Sequence, residues 1–304
     1  MSSESTPRPT IADVGVRAAV VRTTRPRVAP IMLRALAYLT LIVLSALTLL
    51  PLVWCVASSF TPLDEILKYA VPFSWRALIP ADFTWQAYQD LMASSFFGAL
   101  LNTFFVCAVT VIAGIAVNSL AGFAFAVFEF PGKRILFIIV LITFMVPFEV
   151  MALPLYVIVN LLHMDNSYQA LILPALANGI VIFLFRQFFY DTPRELLDAA
   201  RVDGLSWFGI YGRIVVPLST PVMVSAALVL FLSQWQSFFW PLLVANSPQY
   251  QMVQVALANF QGEHITLWND LFAGSVIATV VPMTLMLVLQ RYYVRTIART
   301  GLID

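Results

Sequence analysis

Charge is scarce in this chain of 304 residues. Asp, Glu, Lys and Arg make up 11% of it, whereas hydrophobic residues make up 61%. A soluble domain of this size does not need so much apolar surface, so the composition indicates an integral membrane protein. Cysteine and histidine are nearly absent, with two of each. Their positions give no disulfide framework, no metal-ligand spacing and no converging catalytic groups, so we expect neither a metal site nor an enzyme.

A phosphate-binding loop is also missing. No stretch of the sequence matches G-x-x-x-x-G-K-[ST], the pattern whose backbone amides and lysine bind the phosphates of ATP. We therefore expect this chain to bind no ATP and no other cofactor. The net charge is only +1, and we expect no nucleic-acid partner.

Long apolar runs are what the chain has instead. A helix needs about 20 apolar residues to cross about 30 Å of hydrocarbon. Six runs meet this requirement, at about 36–59, 99–127, 135–158, 168–190, 219–244 and 270–293. Their length and their lack of alternation favour helices over the strands of a barrel. The predicted fold class is an all-α membrane protein, with a transmembrane domain over residues 35–295.

Basic residues predict the orientation of these spans. If the N-terminus is cytoplasmic, 15 of the 17 Lys and Arg residues lie on the inner side, and only Lys68 and Arg76 lie outside. Cytoplasmic segments carry the excess of positive charge in membrane proteins, so both termini are predicted to be cytoplasmic. Residues 1–34 are expected to form a disordered basic tail whose arginines meet anionic lipid headgroups. Residues 296–304 are expected to form a short C-terminal tail.

A polar loop, residues 191–217, separates the fourth and fifth predicted spans. It collects four acids and three arginines in a chain with little charge, namely Asp191, Glu195, Asp198, Asp203, Arg194, Arg201 and Arg213. Thr192 is expected to cap a helix over 194–203, in which Asp198 can pair with Arg194 and Arg201. Gly204 is expected to end that helix in the left-handed conformation, and Ser206 to cap a second short helix. By general physics the same loop could be a plain surface hairpin.

The spacing within this loop resembles the E-A-A-x-x-x-G, nine residues, I-x-x-P signature of permease subunits of binding-protein-dependent ABC importers. The matching positions are Asp198, Ala199, Ala200, Gly204, Ile214 and Pro217, with Asp198 in place of the usual Glu. Trp235-Gln-Ser-Phe-Phe-Trp-Pro-Leu242 is similar to a W-N-x-F-x-W-P-L stretch of the carbohydrate branch, with Gln236 in place of Asn. The resemblance covers about residues 35–295 and is nearest to the second permease subunit of maltose transporters.

This resemblance implies a fold and a mechanism. The fold is that of a type I ABC importer permease, with six transmembrane helices in a bacterial inner membrane. The polar loop would be the coupling helix, which rests on a cytoplasmic ATPase subunit that holds ATP and Mg²⁺. A binding protein outside the membrane would deliver a sugar or sugar derivative, and a second, similar permease would complete the pathway. The residues implied in coupling are Asp198, Ala199, Ala200, Arg201, Asp203, Gly204, Ile214 and Pro217.

Polar side chains within the spans are candidates for the substrate pathway, because sugar hydroxyls need carboxylate or amide groups and sugar C–H surfaces need aromatic faces. The candidates are Glu149, Gln234, Trp235, Gln236, Asn102, Asn118 and Asn178. Each amide could instead hydrogen-bond a neighbouring helix. Glu149, which lies between Pro147 and Pro154, could instead pair with a neighbouring helix or a second subunit. A secondary carrier or channel for a polar solute remains an alternative, which Glu149 alone supports.

Overall fold

The computed structural model describes residues 31–72, 74–262 and 266–300. These residues form helices and no strand ladder, apart from one isolated bridge between Gln261 and Thr266. The chain divides into two compact units, Met1–Pro51 and Leu52–Asp304. The predicted disordered tail lies almost entirely outside the described residues, as does the end of the predicted C-terminal tail.

The helices follow one another along the chain with short connections. They are α1 (Ile31–Ser58), α2 (Leu63–Ala70), α3 (Gln86–Ala93), α4 (Phe96–Val127), α5 (Lys133–Met145), α6 (Phe148–Leu161), α7 (Tyr168–Ile172), α8 (Gly179–Tyr190), α9 (Arg194–Val202), α10 (Trp207–Ile210), α11 (Val216–Leu218), α12 (Thr220–Trp235), α13 (Phe239–Val244), α14 (Val253–Ala258) and α15 (Trp268–Thr300). Two 3₁₀ turns, Trp75–Ala77 and Leu173–Ala175, and a π-helical turn, Tyr211–Val215, lie between them.

Three of the described helices, α1, α4 and α15, are long and apolar enough to cross a membrane unaided. Three further pairs of segments pass the same test together but are bent. The bends are 104° between α5 and α6, 41° between Tyr168–Ala175 and α8, and 82° between Trp207–Leu218 and α12. If each bent pair counts as one span, the described chain has up to six spans, the number that the sequence predicts.

Prolines mark two of the interruptions. The third span turns at Val146 and Pro147, whereas Pro154 lies inside α6 without ending it. The predicted fifth span is not one continuous helix, since three residues separate the end of α12 at Trp235 from the start of α13 at Phe239. Pro241 lies in the first turn of α13. The N–H groups of a first turn have no partner within the helix, so the missing N–H of proline costs no hydrogen bond there. Proline therefore favours a new helix start at this point over continuation of α12.

Trp235 satisfies a carbonyl that a proline leaves unpaired. Pro282 lies within α15 and has no N–H, so it cannot donate to the carbonyl of Ala278 one turn earlier. The indole Nε1–H of Trp235 donates to that oxygen at 3.2 Å, in a buried contact. No water is available in the hydrocarbon core to do this instead. This hydrogen bond explains how the sixth span passes Pro282 without a break.

Trp240 has the same role in the fourth span. Pro174 cannot donate to the carbonyl of Ala170, and the indole of Trp240 donates to it at 2.9 Å. Next to it, the side-chain amide of Gln234 donates to the carbonyl of Leu171 at 3.0 Å. The residues around the interruption of the fifth span therefore hold the backbone of the fourth.

One hydrophobic cluster joins the polar loop to the spans. Leu197 of α9 is buried together with Phe123 of α4, Phe185 of α8 and Leu230 of α12. The helices α4 and α8 approach each other closely at Gly122, where a Cβ atom would lie 2.6 Å from the Cβ of Phe185. The loop is thus packed directly against the second, fourth and fifth spans.

Replacing Trp235 with Phe is expected to lower the free energy of unfolding by about 1–3 kcal/mol, because the Ala278 carbonyl is then buried without a donor. Phe retains the stacking on Phe231, whose ring centroid lies 5.3 Å away. Pro282→Ala restores a backbone donor, so the same replacement should cost less in that background. The stability of the wild type, the two single variants and the double variant can be measured by thermal unfolding in detergent, followed by labelling of buried Cys107. Equal losses in both backgrounds would contradict this role of Trp235.

Candidate functional site

The polar loop begins with the nine-residue helix α9, which ends at a glycine. Gly204 has a φ of +84°, in the left-handed region. Its N–H donates to the carbonyl of Arg201 at 3.0 Å, and the N–H of Leu205 donates to the carbonyl of Ala200 at 3.0 Å. These two hydrogen bonds form a Schellman motif, whose left-handed residue is usually glycine. The predicted end of this helix is confirmed.

The start of α9 differs from the prediction. Pro193 is the N-cap residue, and no side chain caps the helix. Thr192 still belongs to the turn that leaves α8, since its N–H donates to the carbonyl of Phe189 at 3.2 Å. Its hydroxyl donates back to the carbonyl of Phe188 at 3.5 Å. The predicted cap by Thr192 is therefore wrong.

The charged side chains of α9 do not pair with one another. None of the ion pairs in the described part of the chain lies in the loop, so the expected pairs of Asp198 with Arg194 and Arg201 do not form. Arg201 instead donates to the carbonyl of Leu205 at 2.8 Å, and its guanidinium lies 5.1 Å from the ring centroid of Trp207. Arg201 therefore stabilises the turn after α9, and the Asp198 side chain is exposed.

The outer face of the loop carries two large apolar side chains that the sequence analysis did not single out. Val202 is 88% exposed and Phe208 is 80% exposed. Ala199 is exposed on the same helix, whereas Ala200 packs into the cluster beneath it. Exposed apolar groups with charged neighbours are typical of a surface that binds another protein. In the sequence, only their position could have indicated this exposure, since each is a hydrophobic residue inside the most polar segment of the chain.

The second arm of the loop returns to the membrane through the π-helical turn Tyr211–Val215. Ser206 caps α10 as predicted, accepting a hydrogen bond from the N–H of Gly209 at 3.1 Å. Ile214 lies in the π turn, half-buried against the cluster, and Pro217 lies in α11 with its surface exposed. Single π turns are rare and are frequent at functional sites.

Two oppositely charged groups lie beside the loop on the turn between the second and third spans. Lys133 donates to the carboxylate of Glu129 at 2.9 Å. This hydrogen bond and the charge of Lys133 hold the pKa of Glu129 below its usual range, with a smaller contribution from the charge of Arg194. On the same turn, the ring of Phe128 packs edge to face against Trp207 of the loop, with centroids 5.0 Å apart, so this turn and the loop lie side by side.

Five of the seven candidate substrate residues are engaged in hydrogen bonds with backbone groups of the chain. These are Asn102, Asn118, Asn178, Gln234 and Trp235. Asn118, Gln234 and Trp235 are also buried. Their polar atoms pair with backbone groups of the chain, as is expected of amides between packed helices.

Glu149 and Gln236 differ from these five. Both side chains are exposed and make no hydrogen bond within the described residues. Glu149 lies in the first turn of α6, directly after the bend at Pro147, and Gln236 opens the gap between α12 and α13. The two interruptions are neighbours, because the rings of Phe148 and Trp240 meet edge to face with centroids 5.8 Å apart. An exposed carboxylate and an exposed amide thus flank adjoining helix breaks.

Comparison with known proteins identifies the family. Residues 118–299 match the pattern of the family described as binding-protein-dependent transport system inner membrane component. The chain belongs to this family. The match includes the whole polar loop, so the loop resemblance and the family assignment concern the same residues.

Two curated relatives of this inner membrane component cover most of the chain. One is the arabinooligosaccharides transport system permease protein AraQ of Halalkalibacterium halodurans, 33% identical over 80% of this chain and 87% of the relative. The other is the sn-glycerol-3-phosphate transport system permease protein UgpE of Shigella flexneri serotype 5b, 32% identical over 80% of this chain and 86% of the relative. Both are permease proteins of transport systems.

A solved structure shows the same fold. It is a bacterial ABC transporter involved in the import of the acidic polysaccharide alginate, and one of its chains superposes with a TM-score of 0.75 at 18% identity. The superposition covers 86% of this chain and 96% of that chain. The predicted fold class, an all-α permease of the ABC importer type, is confirmed.

Gly204→Val is expected to separate ATP hydrolysis from transport while the protein remains in the membrane. A left-handed residue with a side chain costs about 1–2 kcal/mol, and a β-branched one is more strongly disfavoured. Gly212→Val is the matched control, since Gly212 lies in the same loop, also has open space around it, and has no positive φ. Uptake and ATP turnover by the assembled transporter measure both. Equal behaviour of the two variants would show that the Gly204 turn is not required.

Proposed function

We propose that this chain is the permease subunit of an ATP-binding-cassette importer for a sugar or sugar derivative. An extracytoplasmic binding protein delivers the substrate, and separate cytoplasmic ATPase subunits bind ATP and Mg²⁺ and supply the energy. A second, similar permease subunit completes the pathway. The observation that carries the proposal is helix α9, which ends in a Schellman motif and has the residue spacing of the permease signature. The chain belongs to the family of binding-protein-dependent permeases, and its relatives include permease proteins for arabinooligosaccharides and sn-glycerol 3-phosphate.

The coupling site on this chain is the exposed face of the polar loop. Asp198 and Ala199 lie on the free side of α9, and Val202 and Phe208 project beyond it. A cleft on the ATPase subunit with an apolar floor and a cationic rim would fit this surface. The remaining signature residues shape the loop, namely Ala200, Arg201, Asp203, Gly204, Ile214 and Pro217.

The chain is proposed to cross a bacterial inner membrane several times with both termini in the cytoplasm. The excess of Lys and Arg on the inner segments supports this orientation. The contact between Phe128 and Trp207 also supports it, because it joins two of the predicted cytoplasmic connections on one side. The basic N-terminal tail is proposed to meet lipid headgroups on that side.

The substrate pathway of this chain is proposed to run past the adjoining helix breaks. Backbone that is not helical is tolerated at membrane depth only inside protein or beside a water-filled cavity. The gap after α12 lies on the surface of the single chain, with Phe238 41% and Phe239 40% exposed. These rings offer faces for sugar C–H groups, and Glu149 and Gln236 offer acceptors for hydroxyls. The five candidates engaged with backbone groups, Asn102, Asn118, Asn178, Gln234 and Trp235, stay predictions from the sequence.

Reconstitution tests the function directly. The chain would be assembled in proteoliposomes with its ATPase, partner permease and binding protein, and uptake measured with labelled arabinotriose and sn-glycerol 3-phosphate. Uptake is expected only with ATP and binding protein present. Uptake that persists without the ATPase subunits would indicate a secondary carrier or channel and contradict the proposal.

In the same assay, Glu149→Gln is expected to raise KM for the transported solute about ten- to hundredfold, because a hydrogen bond to a charged group is worth about 1.5–3 kcal/mol. The basal rate of ATP hydrolysis should not change. Glu129→Gln, which alters an exposed carboxylate on the cytoplasmic side, is the control and should leave KM unchanged. An unaltered KM in Glu149→Gln would remove this residue from the pathway without affecting the importer assignment.

A further inference from the structure

Asn118 and Ser119 are consecutive polar residues, both fully buried in α4. They lie about 13 Å from the inner end of the helix at Val127, by the rise of an α-helix. Neighbouring residues of a helix point in directions about 100° apart, so the two side chains meet different neighbours. One faces the fourth span and the other faces the polar loop.

Asn118 holds the bend of the fourth span. Its side-chain amide donates to the carbonyl of Leu176 at 2.7 Å and to the carbonyl of Gly114 at 2.6 Å. Its side-chain oxygen accepts from the backbone N–H of Asn178 at 2.8 Å. Residues 176–178 form the gap between the 3₁₀ turn and α8, where the axis changes by 41°. One side chain therefore pairs a donor and an acceptor that the helix break leaves free.

Ser119 is attached to the polar loop. Its oxygen lies 2.6 Å from the hydroxyl of Tyr211, the first residue of the π turn. Ser119 itself donates to the carbonyl of Ala116 at 3.3 Å, which leaves the Tyr211 hydroxyl to donate to Ser119. The Tyr211 ring also packs against Phe123 of α4, with centroids 5.5 Å apart. The second arm of the loop is thus fixed to α4 at the residue adjacent to Asn118.

We propose that Asn118 and Ser119 are positioning residues that transmit movement of the polar loop to the bend of the fourth span. The inference rests on the proposed function, in which an ATPase moves the loop. A displacement of Tyr211 acts on Ser119, and because Asn118 is the next residue of the same rigid helix, it shifts against Leu176 and Asn178. As a result, α8, the half of the fourth span that leads to α9, changes its angle relative to the other half, Tyr168–Ala175.

Tyr211→Phe tests the transmission, since it removes one oxygen and keeps the ring contact with Phe123. In the reconstituted transporter, the number of ATP molecules hydrolysed per arabinotriose taken up is expected to rise about two- to tenfold, the range that one lost hydrogen bond spans. Ser119→Ala should give the same rise, and the double variant no further rise. Thr110→Val is the control, because Thr110 has a buried hydroxyl on α4 that lacks a hydrogen-bond partner among the described residues.

A purely structural role would lower the amount of assembled complex and leave the ratio of ATP to sugar unchanged. An unchanged ratio in Tyr211→Phe and Ser119→Ala, or an equal rise in Thr110→Val, would overturn the proposal. If the wild-type complex takes up no arabinotriose, it is the substrate assignment that fails. The stimulation of ATP hydrolysis by the binding protein then becomes the readout, and Tyr211→Phe is expected to reduce it by a similar factor.

Discussion

A backbone carbonyl or N–H group cannot stay unpaired in the hydrocarbon core of a membrane, and the structure depends on this constraint. The third, fourth and fifth spans are interrupted, and the sixth contains a proline. At each buried interruption a side chain from another span supplies the missing partner. Asn118, Gln234, Trp235 and Trp240 do so for the fourth and sixth spans. Polar residues that would be costly in an uninterrupted bundle are stable here because the broken helices require them.

The same arrangement connects the polar loop to the interior of the spans. The buried face of α9 packs with the inner halves of the second, fourth and fifth spans in one cluster. The Ser119–Tyr211 hydrogen bond ties the returning arm of the loop to α4 as well. Close packing transmits displacement because interiors are dense and deform little. A force on the exposed face of the loop would therefore reach the bend of the fourth span through side-chain contacts.

Local signals in the sequence predicted the fold and part of the site. The long apolar runs predicted six spans, which is the number of described spans if each bent pair counts as one. Gly204 and Ser206 predicted the end of α9 and the start of α10, because each depends only on the residues beside it. Thr192 was wrongly predicted to cap α9, because the residue that is free to act as a cap depends on where the preceding helix, α8, ends. The pairing of Arg201 with Leu205 instead of Asp198 depends on the turn after the helix, and helix spacing alone does not include that turn.

Contacts between distant residues account for what the sequence did not predict. Asn118, Gln234 and Trp235 were substrate candidates because amides and indoles suit sugars. Their hydrogen bonds to carbonyls in other spans became visible only with the tertiary structure. Glu149 and Gln236 remained exposed beside adjoining breaks, which concentrates the substrate proposal on them. Val202 and Phe208 are conspicuous in the sequence only as hydrophobic residues within a polar segment, and their exposure became evident once the buried face of the loop was known.

We propose that the helix breaks are of two kinds, one sealed by side chains and one open to a water-filled pathway. Cysteine accessibility tests it most directly, in an assembled transporter whose Cys55 and Cys107 are replaced by Ala. A membrane-impermeant thiol reagent, applied to single-cysteine variants, should label positions 149 and 236 rapidly and positions 118 and 234 slowly. Rapid labelling at 118 and 234, with 149 and 236 protected, would contradict the account.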